Sequence, residues 1–290
     1  MSDKPAETFT EKLHPGYSQV MHLKGTLIAE EKSRFQHIKF FDTERNGRVM
    51  VLDDIVQITT RDECAYSEML THVPMFEHGK VQSVLIVGGG DMAIAEEALK
   101  HKGVKEVVMA EIDGRVVDMS KEYFASLNAR AVKDKRFKIE IVDAFDYLAR
   151  PDSARRFDLI IADRPDPVGP AKVLFADTFY KRVLAALKPG GFAVFQNGVP
   201  FYQPEELTDT LKQMKKAFPK CGTYLSVVPT YIGGFMALTW VSKGGKLGDP
   251  KKAAAISRAF KASKIKTDYY TPAIHQAAFA IPAWIQRLIP

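Results

Sequence analysis

Five acidic residues stand where a chain alternating strand and helix would end its strands. They are Asp91 after Val84-Leu85-Ile86-Val87-Gly88-Gly89-Gly90, Glu111 before Ile112-Asp113, Asp143 after Val142, and Asp163 and Asp166 in Asp163-Arg164-Pro165-Asp166-Pro167-Val168-Gly169-Pro170. Open α/β sheets bind ligands beyond the carboxyl ends of their strands, so these positions border one cleft. Glu111 lies 21 positions after Gly90, where a carboxylate accepts hydrogen bonds from both hydroxyls of a ribose. Asp143 is placed to meet an adenine edge. Asp163 and Asp166, three residues apart and stiffened by prolines, suit a cationic amine and the removal of its proton.

Each feature also has a plainer reading. Gly88-x-Gly90-x-x-Ala93 alone fits NAD or no ligand, a strand-terminal Asp often caps the next helix, and Asp166-Pro167 could be only a stiff turn. Acidic ends on four consecutive units are harder to explain so. The elements behind them narrow the class further. Strands are predicted over 83–87, 106–110, 137–141, 159–162, 192–196, 221–229 and 235–241, and helices over 92–100, 114–126, 144–149, 172–186 and 204–217. Only a short Thr230 to Gly234 link joins the last two strands, so they form an antiparallel hairpin at the sheet edge. A dinucleotide-binding fold does not require that hairpin, and it points to an S-adenosyl nucleotide.

Upstream, β-rich stretches at 26–28, 35–41, 48–52 and 55–59, broken by Asn46-Gly47 and Asp53-Asp54, predict a small antiparallel β domain. A helix is predicted over 62–76. The expected division is a tail over 1–17, the β domain with its linking helix over 18–78, and a nucleotide-binding α/β domain over 79–290. The fold class is therefore α/β: a class I methyltransferase-like Rossmann sheet of seven strands, with a small N-terminal antiparallel β domain.

Composition excludes other classes. Of 290 residues, 46% are hydrophobic and 26% charged, ordinary for a globular chain. No apolar run reaches the roughly 20 residues that cross a bilayer, and the polar first residues lack a signal core, so no membrane association and a cytoplasmic location are expected. Cys64 and Cys221 have no metal-type spacing. The net charge of +6 comes from dispersed lysines and arginines, which argues against nucleic acid.

Motifs through most of the chain resemble the spermidine synthase family of aminopropyltransferases: Gly47 to Asp53, Val56-Gln57, Arg61-Asp62-Glu63, Tyr66-Ser67-Glu68-Met69, His72 to Met75, Gly88 to Asp91, Glu111-Ile112-Asp113, Asp163 to Pro170, Gln196-Asn197-Gly198, Pro229-Thr230-Tyr231 and Pro272 to His275. The resemblance implies that Gln57, Gly88, Gly90, Asp91, Glu111, Asp143 and Ala144 hold decarboxylated S-adenosylmethionine as co-substrate, with Asp91 near its propylamine. It implies Asp163 as the base, with Tyr66, Asp166 and Tyr231 positioning a small-molecule amine acceptor. It further implies a homodimer or homotetramer, with no metal and no tightly bound cofactor.

Three departures from the family pattern cluster at the acceptor end: Met92 in place of the usual Gly, Arg164-Pro165 in place of small residues, and Ser67 in place of His or Gln. Arg164 has two readings. Pointing inward, it pairs with a carboxylate such as intact S-adenosylmethionine carries; pointing outward, it is a surface arginine or a clamp on Asp163 or Asp166. The inward reading keeps open transfer of a methyl or 3-amino-3-carboxypropyl group from the intact donor.

Overall fold

The computed structural model describes residues 7–164 and 174–290, and the architecture below is that of the described residues. The N-terminal part is a sheet in simple order β1-β2-β3-β4-β5, built from Thr8–Glu11, Gln19–Lys32, His37–Thr43, Gly47–Leu52 and Ile55–Thr59. All its pairings are antiparallel. Thr8–Glu11 lies in the stretch read as a tail. It is a strand because it pairs with Gln19–His22 across a short turn, and that gain comes from the partner strand rather than from its own composition.

Helix α1 (Glu63–His78) leads into the main sheet, which comprises β6 (Ser83–Gly88), β7 (Glu106–Glu111), β8 (Phe137–Ile141), β9 (Phe157–Asp163), β10 (Leu187–Gln196), β11 (Lys220–Ser226) and β12 (Met236–Ser242). The order is β11-β12-β10-β9-β6-β7-β8, with the five strands from β10 to β8 parallel and β12 antiparallel to both neighbours. This is the methyltransferase-like sheet with its edge hairpin. The runs Val84 to Val87 and Leu159 to Ala162 are almost wholly buried, as strands covered on both faces must be.

One face of the sheet packs on α1, α2 (Ala93–Leu99) and the chain around Tyr270; the other packs on α5 (Ala144–Ala149), α6 (Asp177–Ala186) and α7 (Pro204–Ala217). The predicted helix over 114–126 is two helices, α3 (Gly114–Tyr123) and α4 (Ala125–Lys133), with a break at Phe124. Phe124 turns into a third apolar cluster with Ile38, Phe40 and Met50, which seats the N-terminal sheet on the main body. Asp113 strengthens that seat. Its Oδ1 caps α3 through Arg115 N–H, and its Oδ2 accepts from Ser33 and Gln36 of the β2–β3 turn. No helix among the described residues is long and apolar enough to cross a membrane.

At the end of the sheet opposite the acidic strand termini, Asp158 pins the start of β6. It accepts from Gln82 N–H, Ser83 N–H, Ser83 Oγ and Lys188 Nζ, all at 2.9 to 3.0 Å. Burial alone would raise its pKa, but these donors outweigh it and hold the carboxyl below 3.8. A depressed folded pKa gives stability that is present above the unfolded value and lost as pH falls through the folded one. Asp158→Asn should therefore cost about 2 kcal/mol in urea unfolding at pH 7, and the gap to the parent should narrow as pH drops below 4.

Candidate functional site

The site is built where β6, β7 and β9 end side by side. Gly88 pairs with Asp163 across β6 and β9, and a Cβ on Gly88 would sit 2.2 Å from the Asp163 carbonyl oxygen. A Cβ on Gly90 would sit 2.9 Å from Val116 Cγ1 and 3.3 Å from Glu111 Oε2. The glycines thus let the turn lie directly against both carboxylate-bearing strand ends. Asp91 ends the turn, with its Oδ1 accepting from Ala93 N–H at 2.8 Å. The chain's own carboxylate thus stands at the start of α2, and the cradle presents negative charge there.

That charge is concentrated and poorly solvated. Burial raises the pKa of Asp163, with Asp91 and Glu111 adding repulsion and the Tyr66 hydrogen bond opposing them. Burial likewise raises Asp91, and pushes Glu111 up to about 7. Among the described residues no cation is ion-paired with any of the three. A ligand carrying positive charge supplies what these groups lack.

Two tyrosines wall the site. Tyr66, on the first turns of α1, donates to Asp163 Oδ1 at 2.5 Å; burial, then Asp163, holds its pKa well above 10, so it remains a donor. Tyr231 meets Tyr66 edge-to-face at 5.6 Å between ring centroids and donates to the Gln57 carbonyl oxygen. Through that bond β5 of the N-terminal sheet reaches the site. Asp143 and Ala144 lie one strand further out, at the end of β8. Asp143 is half-buried and caps α5 through Phe145 N–H at 2.8 Å, while Ala144 is buried. Asp166 lies outside the described residues.

The three departures resolve differently. Ser67 is buried; burial pushes Glu63 up to about 7, against the lowering effect of the Ser67 hydroxyl donating to its carboxylate. Met92 is fully buried with φ of 67°, the left-handed region that usually calls for glycine. Arg164 is 2% exposed, so it is not a surface arginine, and among the described residues no carboxylate pairs with it; a clamp on Asp166 lies outside those residues. The first residue past the end of β9, Arg164 turns away from the site toward Tyr180 of α6 and Phe195 of β10. There it donates to Gln196 O, Leu174 O, Tyr180 Oη and Asn197 Oδ1, and stacks on Phe175 at 3.6 Å.

Two further residues belong to the site, and their types alone did not single them out. Asp62 stands at the N-cap of α1 without capping it. Its Oδ2 accepts from Thr230 N–H and Oγ1, both at 2.8 Å, while its Oδ1 accepts from Thr59 at 2.6 Å, fixing the loop that carries Tyr231. Gln196 ends β10, next to the strand that ends in Asp163, and its Oε1 is buried without a hydrogen-bond partner among the described residues. The signal for Asp62 was present in Arg61-Asp62-Glu63, but it reads as an ordinary helix start.

Comparison with known proteins supplies an independent line. Residues 63–249 match the spermine/spermidine synthase domain and residues 8–60 the spermidine synthase tetramerisation domain. The chain is 43% identical to a polyamine aminopropyltransferase of Ruegeria sp. (strain TM1040) over 97% of this chain and 98% of that one. It is 41% identical to one of Escherichia coli (strain K12 / DH10B), over 95% and 94%. Among solved structures, a spermidine synthase in complex with the transition-state analogue AdoDATO superposes with a TM-score of 0.91 at 30% identity, covering 99% of this chain and 96% of that one. Spermidine synthase from Thermotoga maritima gives 0.89 at 30% identity, with the same coverage.

Arg164 and Gly90 separate structure from binding. Arg164→Ser strands several buried acceptors and should lower stability by about 3 kcal/mol, while affinity for methylthioadenosine stays at the parental level. Gly90→Ala should show the reverse emphasis: calorimetry should find methylthioadenosine binding weakened about 10-fold or more as Glu111 is pushed aside.

Proposed function

The chain belongs to the spermine/spermidine synthase family, and from that premise we propose that it moves the aminopropyl group of decarboxylated S-adenosylmethionine to an amine such as putrescine, releasing methylthioadenosine. The observation that carries this reading is the set of three crowded carboxylates, Asp91, Glu111 and Asp163, with no ion-paired cation among the described residues. The donor brings a sulfonium and an ammonium, and it lacks the carboxylate of the intact nucleotide. Glu111 takes the ribose hydroxyls, Gly88 and Gly90 admit the nucleoside against the turn, Asp143 and Ala144 meet the adenine, and Gln57 covers the nucleoside from β5. Asp91 receives the propyl ammonium.

The acceptor enters between Tyr66 and Tyr231, with Asp166 and Ser67 among its contacts and Met92 bounding the transferred chain. Asp163, in its ionised form, takes the proton that leaves the attacking nitrogen. That nitrogen's lone pair forms a bond to the propyl carbon attached to sulfur, the C–S electron pair returns to sulfur, and neutral methylthioadenosine departs. The protein's contribution is proximity, in-line alignment and an unprotonated nucleophile. The orphaned Gln196 Oε1 offers an acceptor to an ammonium N–H in the same space. Transfer from intact S-adenosylmethionine called for a cation to meet its carboxylate, and Arg164 spends its donors on Gln196 O, Leu174 O, Tyr180 and Asn197 instead. We also infer a homodimer or homotetramer assembled through the N-terminal sheet, which exposes Val20 and Ile28 on β2 and Phe35 at its turn.

Incubation with the decarboxylated donor and putrescine, read by mass, should yield spermidine and methylthioadenosine; S-adenosylhomocysteine from the intact donor would overturn the reading. Asp163→Asn should lower kcat by about 10²- to 10⁴-fold. The acid limb of kcat/KM follows Asp163, whose ionised form is the active one. Tyr66→Phe removes a hydrogen bond that lowers the Asp163 pKa, so that limb should move to higher pH; a shift to lower pH would contradict the assignment.

A further inference from the structure

We propose that Glu68 is a positioning residue for both tyrosines of the transfer site, acting through the main chain of Asp268, Tyr269 and Tyr270. Glu68 sits about 200° round α1 from Tyr66 and is 2% exposed. Its carboxylate accepts three consecutive backbone N–H groups: Asp268 at 2.8 Å, Tyr269 at 3.0 Å and Tyr270 at 2.6 Å. Among the described residues no side-chain cation pairs with it. Its partner is a concave run of amides, which binds an anion in one geometry only. A lysine or arginine would have tolerated a shifted helix; three fixed N–H groups do not.

The captured chain continues to the catalytic side. Tyr269 Oη accepts from Val227 N–H at 3.2 Å, directly after β11, and Val228 O accepts from Tyr231 N–H at 3.0 Å. From Glu68 a continuous line of bonds therefore runs to the loop that carries Tyr231. Toward Tyr66 the same strand grips the helix: Ser226 Oγ donates to Ala65 O at 2.5 Å and Tyr224 Oη to Met69 O at 2.9 Å. Tyr270 closes the wedge, fully buried and stacked on Phe76 of α1 at 5.6 Å. Helix, strand end and C-terminal segment thus meet at Glu68, and the Tyr66–Tyr231 edge-to-face contact is fixed from behind by a residue that touches neither ring.

A second buried carboxylate on α1 provides the control. Glu77 also anchors the later chain, accepting from Gly248 N–H at 2.7 Å, pairing with Lys252 at 3.1 Å and meeting His275, whose other ring nitrogen bonds Tyr270 Oη, but it holds none of the 268–270 main chain and lies three helical turns from Tyr66. The inference rests on the transferase reading, and its test has one arm that does not. In Glu68→Gln an amide nitrogen faces the backbone donors. At a temperature where parent and variants are folded, its kcat/KM for putrescine should fall about 10- to 100-fold with methylthioadenosine affinity at the parental level, and hydrogen exchange should accelerate across residues 227–231. Glu77→Gln should lower Tm comparably while leaving both readouts as in the parent. If Glu68→Gln keeps parental exchange at 227–231, the inference fails. If Glu77→Gln reproduces the kinetic and exchange losses, Glu68 acts through stability alone, and the inference also fails. Should the parent form no methylthioadenosine from the decarboxylated donor, the transferase reading falls, and exchange still decides the role of Glu68.

Discussion

Three carboxylates held together out of water, without a counter-ion among the described residues, set the terms for the rest of the molecule. Asp91, Glu111 and Asp163 each gain proton affinity from burial, and charge that is both desolvated and crowded opposes the fold at neutral pH. Such an arrangement persists only where the scaffold leaves the groups nowhere else to go. The parallel strands fix their ends at adjacent positions, and Gly88 and Gly90 bring the turn closer than any side chain would permit. The opposition is lifted when a cation enters, so affinity and selectivity have one origin.

The remaining elements keep that arrangement in register. The N-terminal sheet delivers Gln57 and, through its carbonyl, holds Tyr231. Asp62 ties Thr230 to the end of β5, and Asp113 ties the β2–β3 turn to the first turn of α3. Helix α1 presents Tyr66 to Asp163 while its far side is gripped by β11 and by the chain at 268–270. The pocket is thus assembled from segments distant in sequence.

What sequence alone could reach follows from where each signal resides. The glycine turn, the acidic strand ends and the edge hairpin are local patterns with a physical meaning of their own, and the sheet they imply is the one observed. Thr8–Glu11 escaped because its order comes from pairing with β2, and the break at Phe124 because no Gly or Pro marks it. Arg164 escaped because, among the described residues, two of the four groups it donates to are backbone carbonyls, of Gln196 and Leu174, which no pattern of side chains reveals. Glu68 is silent for a related reason, since what its carboxylate binds is main chain, and Asp62 because its partners Thr59 and Thr230 are brought to it only by the fold.

The account stands on the claim that this carboxylate cluster is a receptor for a donor with two positive charges and no negative one. Calorimetric titration of the protein with decarboxylated and with intact S-adenosylmethionine, in the same buffer at pH 7.5, measures that directly. The extra carboxylate would be placed among Asp91, Asp163 and Glu111, and the intact donor should bind about 100-fold more weakly or worse. Equal affinities for the two nucleotides would contradict the account.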